Sequence, residues 1–455
     1  MPLAQDAFRL NKRHERKTGM VMESTTDLAA YGRASTTRAR PAAGVTTRDP
    51  RLDFYRGIAM LIILAAHTPN NFFSSWIPGR WGFSDATEIF VFCSGMASAI
   101  AFGGSFDRRG WFLGTARVAQ RVWQVYWAHI ALFVATAAML AAIDLLGGFD
   151  KQYIGSLNLW KFFADPAVPL VGLLTLTYVP NYFDILPMYM VILAMLPVVM
   201  ALARVHVWLV FAVSLAVWLA AQSALLGWFG FRDAGINFSA EPWSTREWFF
   251  NPFAWQLIFF TGFFLMRGWI PAPPVRAWLV VLAAAVVIGF VFLSAIGFRL
   301  FQWEPVQTAF VAMTGCSETG FGACNPVFDW RQGFAGWYDK TDFGILRFVH
   351  FLALAYLAWV VAGPHGRRLR PVGDGAATRV WRGFVAMITK VGQQSLAVFL
   401  FSMFFARFSG FVMDQIGRNV WNMTAANLIG FALLIGLAYG VSWFKRQPWK
   451  VSATG

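Results

Sequence analysis

Charge is scarce in this sequence. Only 13% of its 455 residues are Asp, Glu, Lys or Arg, about half the share of an ordinary globular domain, which excludes a soluble enzyme of this size. Acidic residues are scarcer than basic ones, 23 against 38. No Gly-rich phosphate loop, internal repeat or heptad array is present, so a P-loop nucleotide binder, a solenoid and a coiled coil all drop out. Residues 1–50 are polar and basic and lack a continuous apolar stretch, which argues against a secretory signal and for a disordered tail.

What is abundant is apolar sequence: 57% of the chain, with 22 Trp and 46 Phe. A membrane-spanning helix needs about 20 apolar residues. About ten runs meet that need, near 53–72, 84–103, 122–146, 184–203, 206–227, 252–270, 276–298, 344–363, 384–409 and 424–444. The short, proline-bounded segment 166–181 reads as buried or re-entrant. The expected fold is therefore an all-α polytopic membrane protein. Lys and Arg concentrate in alternate loops, including Arg108, Arg109, Arg117 and Arg121, then Arg367, Arg368, Arg370, Arg379 and Arg382. The positive-inside rule places those loops and both termini in the cytoplasm. The excess of positive charge is this signature and calls for no nucleic acid. A tail over 1–50, a transmembrane domain over 51–446 and a short tail over 447–455 follow, with two larger outer loops near 147–183 and 299–343.

Against this background five ionisable residues in the first two spans stand out: Asp53, Arg56, His67, Asp85 and Glu88. Each costs about 2.5–3.5 kcal/mol to insert, so such residues mark functional interiors. His67 lies 14 residues beyond Asp53, roughly 21 Å along a helix, and reaches the outer half of the membrane. Asp85 and Glu88 open the returning span at similar depth and share a helix face. A carboxylate-oriented general base is the chemistry that pattern suits. Asp184, Asn251, Gln256, Arg347, His350 and Arg407 begin or close other spans near the same plane. On the inner side Arg56, beside Asp53, joins Arg117 and Arg121 as candidates to hold a phosphorylated substrate. Lys390, in the ninth span, either extends that basic path or snorkels inward. His129, His206 and Cys93 read as packing residues.

The outer loops carry their own pattern. Cys316 and Cys324 enclose a short segment rich in glycine, and on a periplasmic face they are expected to pair. Trp303, Trp330, Trp337 and Tyr338 lie beside Asp329, Asp339 and Asp342, a mixture that suits sugar rings or, equally, an interfacial aromatic belt.

The run from Leu52-Asp53-Phe54-Tyr55-Arg56-Gly57 to His67, followed by Gly82-Phe83-Ser84-Asp85-Ala86-Thr87-Glu88 and its continuation to Gly95, resembles the OpgC-type membrane acyltransferases. These are succinyltransferases of osmoregulated periplasmic glucans, related to the acyltransferase-3 superfamily. Tyr182-Phe183-Asp184-Ile185-Leu186-Pro187, Asn251-Pro252-Phe253-Ala254-Trp255-Gln256 and Leu346-Arg347-Phe348-Val349-His350 carry the likeness further along the chain. The resemblance implies an inner-membrane O-acyltransferase that moves an acyl group, typically succinyl, from cytoplasmic acyl-CoA to a hydroxyl of a periplasmic glucan. No permanently bound cofactor or metal is implied; acyl-CoA is the donor substrate. His67 is then expected to be the general base, with Asp85 or Glu88 orienting it. Asp184, Asn251, Gln256, Arg347, His350 and Arg407 are expected at the acceptor and acyl group, and Asp53, Arg56, Arg117, Arg121 and Lys390 at acyl-CoA. Ser84, Asn251, Gln256 or Arg347 would serve the oxyanion. Two rival readings are a secondary transporter or flippase with a proton relay, and an acyltransferase for another surface polysaccharide.

Overall fold

The computed structural model describes residues 49–231, 234–317 and 320–450. The expected tails, up to residue 48 and from residue 451, lie outside the described residues. Among the described residues secondary structure is helical, apart from one isolated bridge between Ser239 and Glu247.

Helix α1 (Pro50–His67) opens with Pro at its first position and Asp49 as N-cap, where the missing N–H of proline costs nothing. It ends at Thr68, because Pro69 disfavours helical geometry in the residue before it. Helix α2 (Ala86–Ser98) passes through a π turn (Ala99–Gly103) into α3 (Gly104–Gly147). The whole stretch Ala86–Gly147 is apolar enough to span, but 62 residues would measure about 93 Å if straight, three bilayer cores. It is broken at Gly110, which has φ 80°, a conformation that glycine adopts without strain.

Then follow α4 (Ile185–Val205), α5 (Val207–Ala220), α6 (Pro252–Arg267) and α7 (Ala277–Leu293). α7 is joined through a 54° bend to Ala295–Phe301. The last four helices are α8 (Ile345–Ala362), α9 (Ala376–Gln393), α10 (Ser395–Ile416) and α11 (Val420–Lys445).

Five of these elements are each long and apolar enough to cross a membrane, or six if the bent pair at α7 counts as one span. The ten runs expected from sequence divide accordingly. α1 is interrupted by Arg51, Asp53 and Arg56, α5 has 14 residues and α6 has 16. The run at 384–409 is two helices, because the polar sequence Gly392-Gln393-Gln394-Ser395 breaks the chain at Gln394. The segment 166–181 contains only the nine-residue helix Ala167–Thr175, about 13 Å long.

α7 buries a single residue, Ala283. A helix apolar on every side and packed on almost none presents its surface to lipid. α1 does the opposite: it packs against α2, α9, α10 and α11. Two close approaches fix its surroundings. A Cβ at Gly57 or Gly392 would strike the backbone of α9 or α1 respectively, and one at Gly95 or Gly262 would strike the backbone of α6 or α2. Small residues at these crossings bring helix axes together as they do in membrane bundles generally. α1, α2, α4 and α10 surround one interior column, and Arg56 and His67 of α1 lie along it.

Candidate active site

Three cavities follow one another along this column. The first, about 380 Å³, is lined by Arg56, Arg117 and Arg121 together with Ser94, Ser98, Gln120 and Gln124. A second opening of about 630 Å³, with Arg108 and Arg109, shares Arg117 and Gln120 with it. The arginines here are answered by neutral oxygens. Arg56 donates to the main-chain carbonyls of Cys93 (3.1 Å) and Gly392 (3.5 Å), and its Nε has no partner. Arg117 donates to Ser105 Oγ and Arg121 to Gln124 Oε1. Three guanidinium groups line one space, the arrangement that binds phosphate oxygens. Lys390 is elsewhere: it donates to Ser442 and lies over Tyr439, facing α11. Asp53 is buried on α1 and does not line the space.

The second cavity, about 220 Å³, holds His67, Asp184, Lys340, Thr87 and Tyr182 among aromatic walls. His67 Nδ1 is 2.8 Å from the carbonyl oxygen of Ile63. A carbonyl only accepts, so Nδ1 carries the proton and Nε2 keeps its lone pair. That is the tautomer of a general base. In this contact the main chain of its own helix holds the ring.

Asp85 and Glu88 have other work. Asp85 Oδ1 accepts from Thr87 N at 2.7 Å while Asp85 N donates to Glu88 Oε2 at 2.8 Å, a capping box that starts α2. Each is also ion-paired. Arg347 grips Glu88 through Nε and Nη2 at 2.8 and 2.6 Å, and Lys340 Nζ meets Asp85 Oδ2 at 2.6 Å. The carboxylate that does line the His67 cavity is Asp184, which accepts from Phe249 N.

Tyr182 is held in a costly backbone conformation, φ 89°, of the kind that persists only where surroundings over-determine it. Its hydroxyl donates to the Met403 carbonyl, its ring meets His67 edge-on at 5.5 Å, and the Arg407 guanidinium stacks 4.1 Å over its other side. Arg407 thus acts on the cavity through Tyr182.

The remaining acceptor-side candidates are fasteners. Asn251 caps α6 and donates to Ile236 and Asp342. Gln256 exchanges two hydrogen bonds with Ser214. Both sets of polar atoms hold neighbouring segments together. Burial raises the Asp342 carboxyl above its ordinary pKa, and its bonds from Asn251 and Ser223 oppose that rise. His350 Nδ1 accepts from Ser84 N at 3.3 Å, with Ser84 Oγ 2.6 Å away, and its ring stacks on Phe290. It lies outside the His67 cavity.

The third cavity, about 420 Å³, is lined by Arg80, Arg331, Tyr338, Asp339, Lys340 and Arg347. Phe83, Tyr338 and Trp330 form a stack, with centroids 4.9 and 5.9 Å apart, and Arg331 covers Tyr338 at 4.6 Å. Lys340 lines both this space and the His67 cavity. The sequence pattern gave no sign of Lys340, which sits in a loop without periodicity. Cys316 and Cys324 are joined in a disulfide with Cα atoms 5.8 Å apart.

Fold and site together define a polytopic α-helical membrane protein. The chain belongs to the OpgC family: the family model described as OpgC protein matches residues 48–446. Membership implies glucan modification and points to an acyltransferase. Neither a curated protein nor a solved structure matches the chain.

Proposed function

We propose that the protein transfers an acyl group, succinyl, from acyl-CoA on the arginine-rich side to a glucan hydroxyl on the opposite side. The arginine-rich face is cytoplasmic by the positive-inside rule, the membrane is the inner membrane, and the acceptor is periplasmic. The observation that carries this reading is the position of His67. Its protonated Nδ1 is held by the Ile63 carbonyl, which leaves Nε2 basic, in a cavity between an arginine-lined space and an aromatic one.

In this mechanism the glucan hydroxyl oxygen attacks the thioester carbonyl while His67 Nε2 takes the hydroxyl proton. The tetrahedral oxyanion collapses with cleavage of the C–S bond. The imidazolium returns the proton to the departing CoA thiolate, and an ester remains on the sugar. Arg56, Arg117 and Arg121 hold the CoA phosphates. Lys340 has one carboxylate partner and two further N–H donors, so it suits the oxyanion or the distal carboxylate of succinate better than Ser84, Asn251, Gln256 or Arg347, all of which are engaged.

The test is to incubate purified protein with labelled succinyl-CoA and periplasmic glucan. The proposal expects label in a base-labile ester and one CoA thiol released per ester. Absence of both products, with no acyl-CoA binding, would overturn it and favour the transporter reading. Lys340→Met is expected to lose succinyl transfer more than acetyl transfer if the ammonium meets the distal carboxylate.

A further inference from the structure

The arginine cavity and the His67 cavity stand back to back. Three helices pass from one to the other within a turn. On α2, Thr87 lines the His67 cavity and Phe90 the arginine cavity; on α4 the change falls between Ile185 and Leu186; on α10 it falls between Phe399 and Leu396. Three residues advance about 4.5 Å along a helix, so the wall is one layer of side chains. Phe90 and Phe399 occupy it. Their rings are stacked, with centroids 5.8 Å apart and planes 13° from parallel, and they are 7% and 2% exposed.

The approach to this wall is narrow and smooth. Ser94, Ala97 and Ser98 of α2 and Ala101 of the π turn, all small residues, line the arginine cavity beyond Phe90. Such a surface admits a slender chain and no more. We infer that the Phe90–Phe399 ring pair is the partition between donor and acceptor cavities, and that an acyl thioester reaches His67 only when a ring turns aside. The passage of a thioester rests on the acyl-transfer reading above; the partition itself does not. The pair then determines which acyl groups pass: a small group needs one ring to rotate, whereas a bulky one needs both out of the way. Buried rings in contact rotate only with their neighbours' leave, so removing one changes both access and selectivity.

The test uses the full chain in membrane vesicles of known orientation. Met403→Cys, in a Cys93→Ala background, places a thiol in the His67 cavity one turn beyond Phe399. The probe is sulfonatoethyl methanethiosulfonate, a charged reagent that does not cross bilayers. With both rings present, labelling is expected from the His67 face alone. Phe399→Ala is expected to raise labelling from the arginine face at least tenfold, and Phe399→Leu, which preserves more packing, to fall between. Continued labelling from the His67 face certifies that each variant is folded. Equal arginine-face labelling with and without the ring, in Phe399→Ala and Phe399→Leu alike, would overturn the partition. If labelling changes as expected while no acyl-CoA supports transfer, the partition stands and the acyl-transfer reading falls. In an active protein, Phe399→Ala is expected to gain turnover of acyl groups longer than succinyl relative to succinyl; an unchanged ratio would overturn the selectivity role.

Discussion

The two ends of the interior column handle charge in opposite ways. Around the first cavity, Arg56, Arg117 and Arg121 meet carbonyl, hydroxyl and amide oxygens, none of which cancels their charge. Beside the second, two cations meet carboxylates: Glu88 with Arg347, Asp85 with Lys340. The first arrangement leaves a positive field for an anion from outside. The second pairs four charges into two ion pairs beside the His67 imidazole. A protein that must attract a phosphorylated donor at one end and deprotonate a neutral hydroxyl at the other needs both arrangements, and needs them apart.

Breaking the paired end should cost most. Glu88→Ala strands the buried Arg347 guanidinium, which is expected to destabilise the fold by about 3–5 kcal/mol, read as a lowered melting temperature in detergent. Retention of the parent's melting temperature would show that the pair contributes nothing. At the other end Arg117→Ala removes a charge-assisted contact of about 1.5–3 kcal/mol. Acyl-CoA should then bind roughly tenfold more weakly or worse, with stability little changed, and dephospho-acyl-CoA should lose less than the intact donor. Equal losses for both donors would mean that Arg117 does not read phosphate. Asp85→Ala removes the N-cap of α2, costing about 1 kcal/mol, and frees Lys340. The smallest effect is expected of Lys390→Ala. Its ammonium faces Ser442 and Tyr439, so acyl-CoA affinity should stay within about twofold, an amount that is under half a kcal/mol; a larger loss would return Lys390 to the donor path.

How much of this was legible in the sequence depends on the residue. His67, Asp184, Arg56, Arg117 and Arg121 could be singled out because depth along a spanning helix follows from residue count, and these side chains line cavities. Asp85 and Glu88 carry two readings, because an acid three residues before another is also the signature of a capping box, and insertion cost does not distinguish the two uses. Asn251 and Gln256 carry two readings for a related reason: polar residues at helix starts serve caps and interhelical bonds as readily as substrates. Lys340 was invisible as a site residue, since loop conformation, not periodicity, brings it to the His67 cavity. The break at Gln394 shows the limit of hydropathy. A run can stay apolar on average across a point where a glycine contact and three polar residues end one helix and begin another.

The measurement that bears most directly on the account is His67→Ala, assayed both for acyl transfer and for acyl-CoA binding in the same preparation. Because the arginine cavity is separate from the His67 cavity, affinity should stay within about twofold while turnover falls about 10²–10⁴-fold, the usual range for a lost general base. Turnover near that of the parent would remove His67 from the chemistry and contradict the assignment of the site.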